Sequence, residues 1–371
     1  MSPLSGLKVV ELARILAGPW IGQSLADLGA EVIKVEAPQG DDTRGWGPPF
    51  IERDGDKTAA YFYAANRGKQ SVVADFRTPE GQQKVRDLIA DADILVENFK
   101  VGGLKKYGLD YDSLAELNPR LIYCSITGFG QDGPYAKRAG YDFLIQGMSG
   151  LMSITGEPDR QPQKVGVAVT DVVTGLYGTI GILAAVEQRH RTGKGQHIDM
   201  SLLDCATALL ANQAMNYLAT GSSPMRKGND HPNIAPYQAA PTADGHIILA
   251  VGNDGQFQRF CQVIDRPDLA QDPRYGSNQL RVENRVTLTA EIEKALASWT
   301  SADLLAALEA ATVPAGPINS IGQAFDDPQI QARGMVIDPE GVKGVRGPWK
   351  FSDAELALDR SAPTLPTLDA D

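Results

Sequence analysis

Residues 8–36 read KVVELARILAGPWIGQSLADLGAEVIKVE, and this stretch decides the fold class. Its two ends are short β-branched, apolar runs, and its middle is opened by Gly18 and Pro19. The pattern predicts a strand over 8–12, a helix over 19–28 and a second strand over 31–36. A helical crossover between two strands makes the pair parallel. The same alternation recurs downstream, with a strand at 71–76, a helix at 79–92 opened by Pro79 and Glu80, and strands at 93–99 and 121–126. Repeated βα units predict an α/β fold with a doubly wound parallel sheet, whose ligands bind outside the carboxyl ends of the strands.

The residues at those strand ends are therefore the first place to look for a site. After the first strand, ARILAGPW offers a turn and a helix start suited to an anion, without the GxGxxG of dinucleotide binders. Arg77, Lys100, Lys105 and Lys106 follow later strands, and Arg67 and Lys69 precede one of them. The formal net charge of -11 argues against nucleic acid or an anionic membrane surface as the main partner. An anionic ligand must then be met by a local basic patch such as this one. On the residues alone, a phosphate-rich ligand and an ordinary solvated surface are equal readings.

A second stretch, residues 165–195, reads VGVAVTDVVTGLYGTIGILAAVEQRHRTGKG. VGVAVT predicts a short buried strand. From Asp171 onward, Val172, Leu176, Ile180, Leu183 and Val186 recur at helical spacing. Arg189, His190, Arg191 and Lys194, with Gly193 and Gly195, close the helix. Asp171 is then expected at a strand-to-helix junction, near exposed N–H groups but stripped of water by its apolar neighbours. Two simpler readings compete: a bilayer span, opposed by the central Asp and the glycines, and a plain N-cap. The small residues Thr174, Gly175, Gly178, Thr179 and Gly181 weigh toward a place where another backbone or a ligand comes close.

The remaining sequence bounds the whole. A chain of 371 residues fits one large and one smaller domain. QHIDMSL predicts one more strand and residues 202–221 a long helix, followed by the linker GSSPMRKGNDHPN, a hairpin turning at Asp244 and Gly245, helices through Glu309, and a strand-like end that rejoins the first domain. The expected organisation is a large α/β domain over 1–200 and 325–371, a linker helix region over 201–224, and a smaller α+β domain over 225–324. The three scattered cysteines, Cys124, Cys205 and Cys261, fit a reducing cytoplasmic setting. The four histidines show no metal-ligand spacing, so no metal is expected. The opening MSPLSGLKVVEL runs straight into a strand, which predicts no signal peptide. GMSGL lacks the closing glycine of a nucleophile elbow, and no P-loop is present. A desolvated carboxylate beside a basic groove is left, able to act as nucleophile on an activated acyl group or as base on an acidic C–H.

Taken together, the first stretch with GDDTRGWGPPF, VENF, YCSITGFGQDGP, RAGYD, the Asp171 segment, TGKGQHIDMSLLD and GNDHPNIAPYQ resembles the family III CoA-transferases over nearly the whole chain. That kinship includes formyl-CoA and carnitine CoA-transferases and the α-methylacyl-CoA racemases. The texture is most similar to members that move CoA between dicarboxylates such as succinate and glutarate. The resemblance implies a two-domain α/β fold, an interlinked homodimer, and CoA and acyl-CoA as substrates rather than a resident cofactor. It implies that Asp171 attacks the thioester to give an aspartyl anhydride and then an aspartyl-CoA thioester. Leu16 and Ala17 match a CoA-contacting turn; Ala74, Asp75, Phe76, Arg77, Asn98, Phe99 and Lys100 match segments that line CoA. Lys106 matches a basic position near its phosphates, and Gly140, Tyr141 and Asp142 a loop beside the thioester. Ala37 stands where formyl-CoA transferases carry an arginine, and Tyr141 where the racemases carry a histidine. A dicarboxylate acceptor calls for an arginine to hold its unreacting carboxylate, and Arg14, Arg44 and Arg138 are the candidates, with Arg14 favoured because it has no local partner in sequence. Arg44 has an alternative as a loop brace to Asp41 or Asp42. A racemase and a non-catalytic acyl-CoA binder are the rival activities.

Overall fold

The computed structural model describes residues 1–366, so the last five positions of the expected large domain, 367–371, lie outside the described residues. Contacts within the chain gather into two units. The first holds Met1–Met152, Lys164–Ser223 and Pro328–Asp371, and the second Ser153–Gln163 and Pro224–Asp327.

In the first unit the elements run β1 (Lys8–Glu11), α1 (Ala17–Asp27), β2 (Glu31–Glu36), a hairpin of β3 (Phe50–Arg53) and β4 (Asp56–Ala59), α2 (Ala60–Asn66), β5 (Gln70–Val73), α3 (Pro79–Ala90), β6 (Ile94–Glu97), α4 (Tyr111–Leu117), β7 (Ile122–Thr127), α5 (Asp142–Met148), the single turn α6 (Leu151–Ile154), α7 (Val169–Thr192), β8 (Gln196–Ser201), α8 (Leu202–Ala208) and α9 (Ala211–Thr220). The βαβ reading of residues 8–36 holds: β1 pairs in parallel with β2, Val9 opposite Val32, and with β6, Val9 opposite Ile94. The sheet order is β5-β2-β1-β6-β7-β8, and each pairing in it is parallel. The order reverses between β1 and β6, and such a switch point opens a crevice at the strand ends.

Alternation along the strands feeds a core on each face of the sheet. Val9, Ile94, Ile122 and Cys124 pack with Ile21 and Leu25 of α1 and Ile182 and Ala185 of α7. Val10, Leu95 and Tyr123 pack on the opposite face with Val85 and Ile89 of α3 and Leu114 of α4. Burial on both faces is why these strands read as continuous apolar runs.

Three expectations for this unit are corrected. VGVAVT forms no strand, and Asp171 lies in the first turn of α7 instead of at a strand-to-helix junction. Two backbone donors of the segment are taken by α5: Val165 N–H donates to Gln146 Oε1 at 2.9 Å and Thr170 N–H to Asp142 Oδ1 at 2.8 Å. Second, the buried face of α7 is the small-residue face, Thr174, Gly175, Gly178 and Thr179, where another backbone does come close as expected, while Leu176 and Ile180 of the apolar spacing are exposed. A Cβ at Gly175 would stand 2.9 Å from Trp20 Cβ and 3.1 Å from the Ala17 carbonyl, so the glycine lets α1 and α7 lie almost backbone to backbone. By length and composition α7 is the one described helix long and apolar enough to cross a bilayer. Third, residues 202–221 are two helices, with Ala211 at a φ of 43° between them, and Leu202, Cys205 and Ala206 are core residues of the first unit instead of linker.

In the second unit β9 (Tyr237–Pro241) and β10 (His246–Ala250) form the hairpin expected at Asp244 and Gly245. Helices α10 (Asp254–Val263), α11 (Pro267–Gln271), α12 (Asn278–Glu283), α13 (Arg285–Leu296) and α14 (Ser301–Ala310) follow, and β11 (Ala315–Pro317) pairs antiparallel with β10. Phe257, Phe260, Ile292, Leu304 and Leu308 form its core.

Past this unit the chain returns to the first one. There Arg67 donates to the Val345 carbonyl at 2.8 Å and Gly347 N–H to Asp27 at 3.0 Å.

Candidate active site

The switch-point crevice of the first unit is a cleft of about 540 Å³. One wall is the turn after β1. Ile15 sits there at a φ of 73°, a left-handed conformation that a β-branched residue rarely adopts and that costs about 1–3 kcal/mol. Buried polar groups hold it in place. Lys34 Nζ donates to the Ala13 carbonyl at 2.9 Å while paired with Glu11 at 3.0 Å and Asp41 at 2.9 Å. Asp41 also accepts the Ile15 N–H at 3.3 Å. From the far side of the crevice, Asn98 accepts the Arg14 N–H at 2.9 Å and donates to the Arg14 carbonyl at 2.6 Å. The turn is therefore set before any ligand arrives, with Leu16 and Ala17 on the cleft.

The opposite wall comes from the ends of β5 and β6. Ala74, Asp75, Phe76, Arg77, Asn98, Phe99, Lys100 and Lys106 all line the cleft, as expected. Phe76 meets Phe99 and Tyr107 edge-on at 5.5 and 5.3 Å between ring centroids, giving an apolar floor beneath a cationic rim. The cations differ in availability. Arg77 is clamped by both oxygens of Asp75, at 2.8 and 2.7 Å. Arg14 shares its charge with Asp42 at 3.1 Å and lies over the Phe99 ring. Lys100, Lys106 and Arg138 form no ion pair among the described residues.

Gly140, Tyr141 and Asp171 also line the cleft. Gly128 at the end of β7 abuts Gly140 so closely that a Cβ on Gly128 would stand 2.6 Å from the Gly140 Cα. That contact seats the 138–141 loop at the carboxyl end of β7. The Asp171 carboxylate lines the cleft but accepts no hydrogen bond and pairs with no cation among the described residues. Burial, reinforced by the charge of Asp142, pushes its pKa up to about 7. Such a carboxylate keeps its lone pairs free and its negative charge poorly solvated, which are the properties of a nucleophile or a base.

Several expected positions fall elsewhere. Asp142 does not line the cleft: it is buried, and it braces the start of α7 by accepting the Thr170 N–H at 2.8 Å and the Thr170 hydroxyl at 2.6 Å. Arg44 does not line it either. Its guanidinium is buried against both oxygens of Glu36, at 2.8 and 2.7 Å, and over the Phe62 ring. It is a brace, as the alternative reading had it, with Glu36 as partner in place of Asp41 or Asp42. Arg67 is buried against Asp27 at 2.6 Å and Lys69 against Glu11 at 2.8 Å, so neither reaches a ligand. Lys105 faces a separate side cavity. The sequence reading missed the Glu11, Lys34, Lys69 and Asp41 network altogether. Its signal was present: charged residues inside strand patterns that are otherwise apolar. Among the described residues no group of three or more His, Cys, Asp or Glu side chains is placed to hold a metal.

Residues 4–367 match the family model described as CoA-transferase family III. Succinate–glutarate CoA-transferase of Agrobacterium fabrum is 58% identical over 371 residues, covering 98% of this chain and 93% of that protein. Succinyl-CoA:glutarate CoA-transferase of Mus musculus is 43% identical, covering 98% of this chain and 84% of that protein. The crystal structure of a CAIB/BAIF family protein from Brucella suis superimposes with a TM-score of 0.90 at 62% identity, covering 99% of this chain and 97% of that one. A match of this extent, on a parallel sheet whose switch point carries a desolvated aspartate and a cationic rim, means that the chain belongs to CoA-transferase family III and is a CoA-transferase.

Proposed function

We propose that this enzyme moves CoA from succinyl-CoA to a free dicarboxylate, with glutarate as the leading acceptor. The observation that carries the proposal is the Asp171 carboxylate, free of donors in a cleft with a cationic rim. The substrates named for the relatives above support the choice of acids. Ionised Asp171 attacks the thioester carbonyl, and the C–S bond breaks with the pair leaving on the CoA thiolate, giving a mixed anhydride. The thiolate attacks the aspartyl carbon and releases succinate, giving an aspartyl-CoA thioester. The acceptor carboxylate then attacks that thioester and expels the CoA thiolate, giving a second mixed anhydride, and the thiolate attacks the acceptor's acyl carbon and expels the Asp171 carboxylate, which regenerates the enzyme. Each intermediate is activated, so the exchange runs at little net free-energy change, and water must be kept out.

Lys100 and Lys106 are assigned to CoA phosphates, the 138–141 loop to the thioester, and Arg138 to the acceptor's distal carboxylate. Arg138 is favoured over Arg14 because its guanidinium lies against Tyr135 and Phe129 with no carboxylate partner among the described residues, whereas Arg14 is shared with Asp42. A second copy of the chain is the proposed cover for the exposed Phe143 and Leu144 of α5, Leu176 and Ile180 of α7 and Leu218 of α9, making the homodimer; α7 is then a core and interface helix instead of a membrane span. The three free, buried cysteines support a reducing, cytoplasmic setting.

Incubation with succinyl-CoA and a panel of acids, reading new CoA esters by mass, tests the proposal. Glutarate should far outperform butyrate, and Arg138→Ala should narrow that gap more than Arg14→Ala. Loss of a charge-assisted bond corresponds to about 1.5–3 kcal/mol. Equal use of butyrate and glutarate by the unmodified enzyme would refute the dicarboxylate assignment.

A further inference from the structure

Behind the cleft, on the α4 side of the sheet, lies a carboxyl group that the transfer chemistry does not use. Glu97 closes β6 at 5% exposure, and no cation pairs with it among the described residues. Its carboxylate accepts the Phe99 N–H at 2.7 Å and a hydrogen bond from the Ser125 hydroxyl. Ser125 Oγ in turn lies 2.8 Å from His197 Nε2. Glu97, Ser125, His197 and Lys100 line a side cavity of about 200 Å³ on the far side of the 98–100 loop from the cleft.

What Glu97 holds is the cleft wall. Phe99 packs on Phe76; its neighbour Asn98 clamps both backbone groups of Arg14; its other neighbour, Lys100, is a cleft cation. One buried carboxylate thus anchors the short loop that joins the two sides of the switch point.

The geometry points to Glu97 as a positioning residue for CoA, whose ionised carboxylate fixes the 98–100 loop through the Phe99 N–H and whose protonation, by way of Ser125, His197 and the side cavity, releases it. This rests on the seat assigned above to CoA. The ionised group can accept from Phe99 and Ser125 together. Once protonated it offers the Phe99 N–H only a neutral acceptor, and a hydrogen bond to an ionised group is roughly twice as strong as a neutral one.

The surroundings make that protonation accessible. Burial pushes Glu97 up to about 7, opposed by the Ser125 and Phe99 hydrogen bonds and aided by Asp199. The groups facing it are His197 and Asp199 from β8 and Tyr123 and Ser125 from β7. Asp110, Asp112, Lys100 and Lys105 come from the loop and helix start above. Burial also lowers the His197 pKa, so at neutral pH that ring is uncharged and free to pass a proton. A group raised in this way is ionised on the alkaline side, so CoA should bind more tightly as pH rises through about 7.

The test is CoA binding by calorimetry in an Asp171→Asn background, which keeps the titration of Asp171 out of the curve, with and without Glu97→Gln. Glutamine keeps the shape but stays neutral, so its Kd should equal the Glu97 value near pH 5.5 and exceed it by about three- to tenfold near pH 8.5, the worth of one hydrogen bond. Titration of the CoA phosphates cancels in that ratio. A ratio near one throughout, or a ratio above one that does not change with pH, overturns the proposal. Ser125→Ala removes a donor to the ionised form and should move the inflection to higher pH; an unmoved inflection also overturns it. Lys106→Ala in the same background separates the premise from the inference. If it leaves the Kd unchanged, the CoA seat itself is wrong and the Glu97 role falls with it. If Lys106→Ala weakens binding and the Glu97 ratio stays flat, only the Glu97 role falls.

Discussion

Replacing Asp171 with Asn should remove transfer and at the same time make the protein more stable above neutral pH. The native carboxyl titrates near 7, against an ordinary 3.8. A carboxyl raised in the folded state binds its proton more tightly there than in the unfolded chain. Folding is then opposed by ionisation progressively between about pH 4 and pH 7, and fully above that. One pKa unit is about 1.4 kcal/mol, which bounds the penalty at roughly 4 kcal/mol; partial exposure of the residue reduces it to roughly 2–3 kcal/mol. Asparagine has the shape without the charge and escapes the penalty. For a chain of this length an increment of that size raises the melting midpoint by roughly 2–4 °C. The assay is thermal unfolding of both proteins near pH 5 and near pH 8, where the gain should be about a third of its full size at the lower pH and full at the higher. A gain equal at both values, or an Asn protein that melts lower near pH 8, would show that the charge on Asp171 is not held at an energetic disadvantage.

Other consequences can be checked alongside. With the nucleophile titrating near 7, kcat/KM should fall as pH drops below that value, since protonated Asp171 cannot attack; a profile flat from about pH 6 to pH 8 would contradict this. Lys106→Ala should raise the KM for succinyl-CoA with little change in kcat and more than Arg77→Ala does, because Asp75 already neutralises Arg77; the reverse order would misplace the phosphates. Glu11→Gln leaves the buried Lys34 and Lys69 without the carboxylate they share and should cost about 3–5 kcal/mol in denaturant unfolding. A loss below about 1 kcal/mol would mean that the network does not hold the Ile15 turn.

The layout of the sheet was legible because buried parallel strands and crossover helices write two distinct periods into the chain, and residues 8–36 carry both. The cleft wall was legible for a related reason. Strand ends project their loops to one side of the sheet, so Leu16, Ala17, Ala74–Arg77 (residues 74–77) and Asn98, Phe99 and Lys100 had to gather there once the strands were known. What was lost depends on side-chain direction. Arg44, Arg67 and Lys69 look like ligand-facing cations until Glu36, Asp27 and Glu11 are found against them, and those carboxylates lie 8, 40 and 58 residues away in sequence. The small residues of α7 were legible as a place of close backbone approach, but its apolar spacing did not mark the buried stripe, which it does only where helices pack at ordinary distances. Here glycine and threonine make the close contact with α1, and the larger apolar side chains are left outside. VGVAVT looked like a strand by composition, yet Gln146 and Asp142 took two of its backbone donors.

Covalent capture at Asp171 tests the central claim most directly. Wild-type protein mixed rapidly with succinyl-CoA and quenched into hydroxylamine should yield a hydroxamate on the peptide carrying Asp171, because hydroxylamine cleaves both an aspartyl anhydride and an aspartyl thioester at that carbon. Omitting the donor, or using Asp171→Asn, should leave the peptide unmodified. A hydroxamate on another carboxylate, or full turnover with Asp171 never modified, would contradict the account.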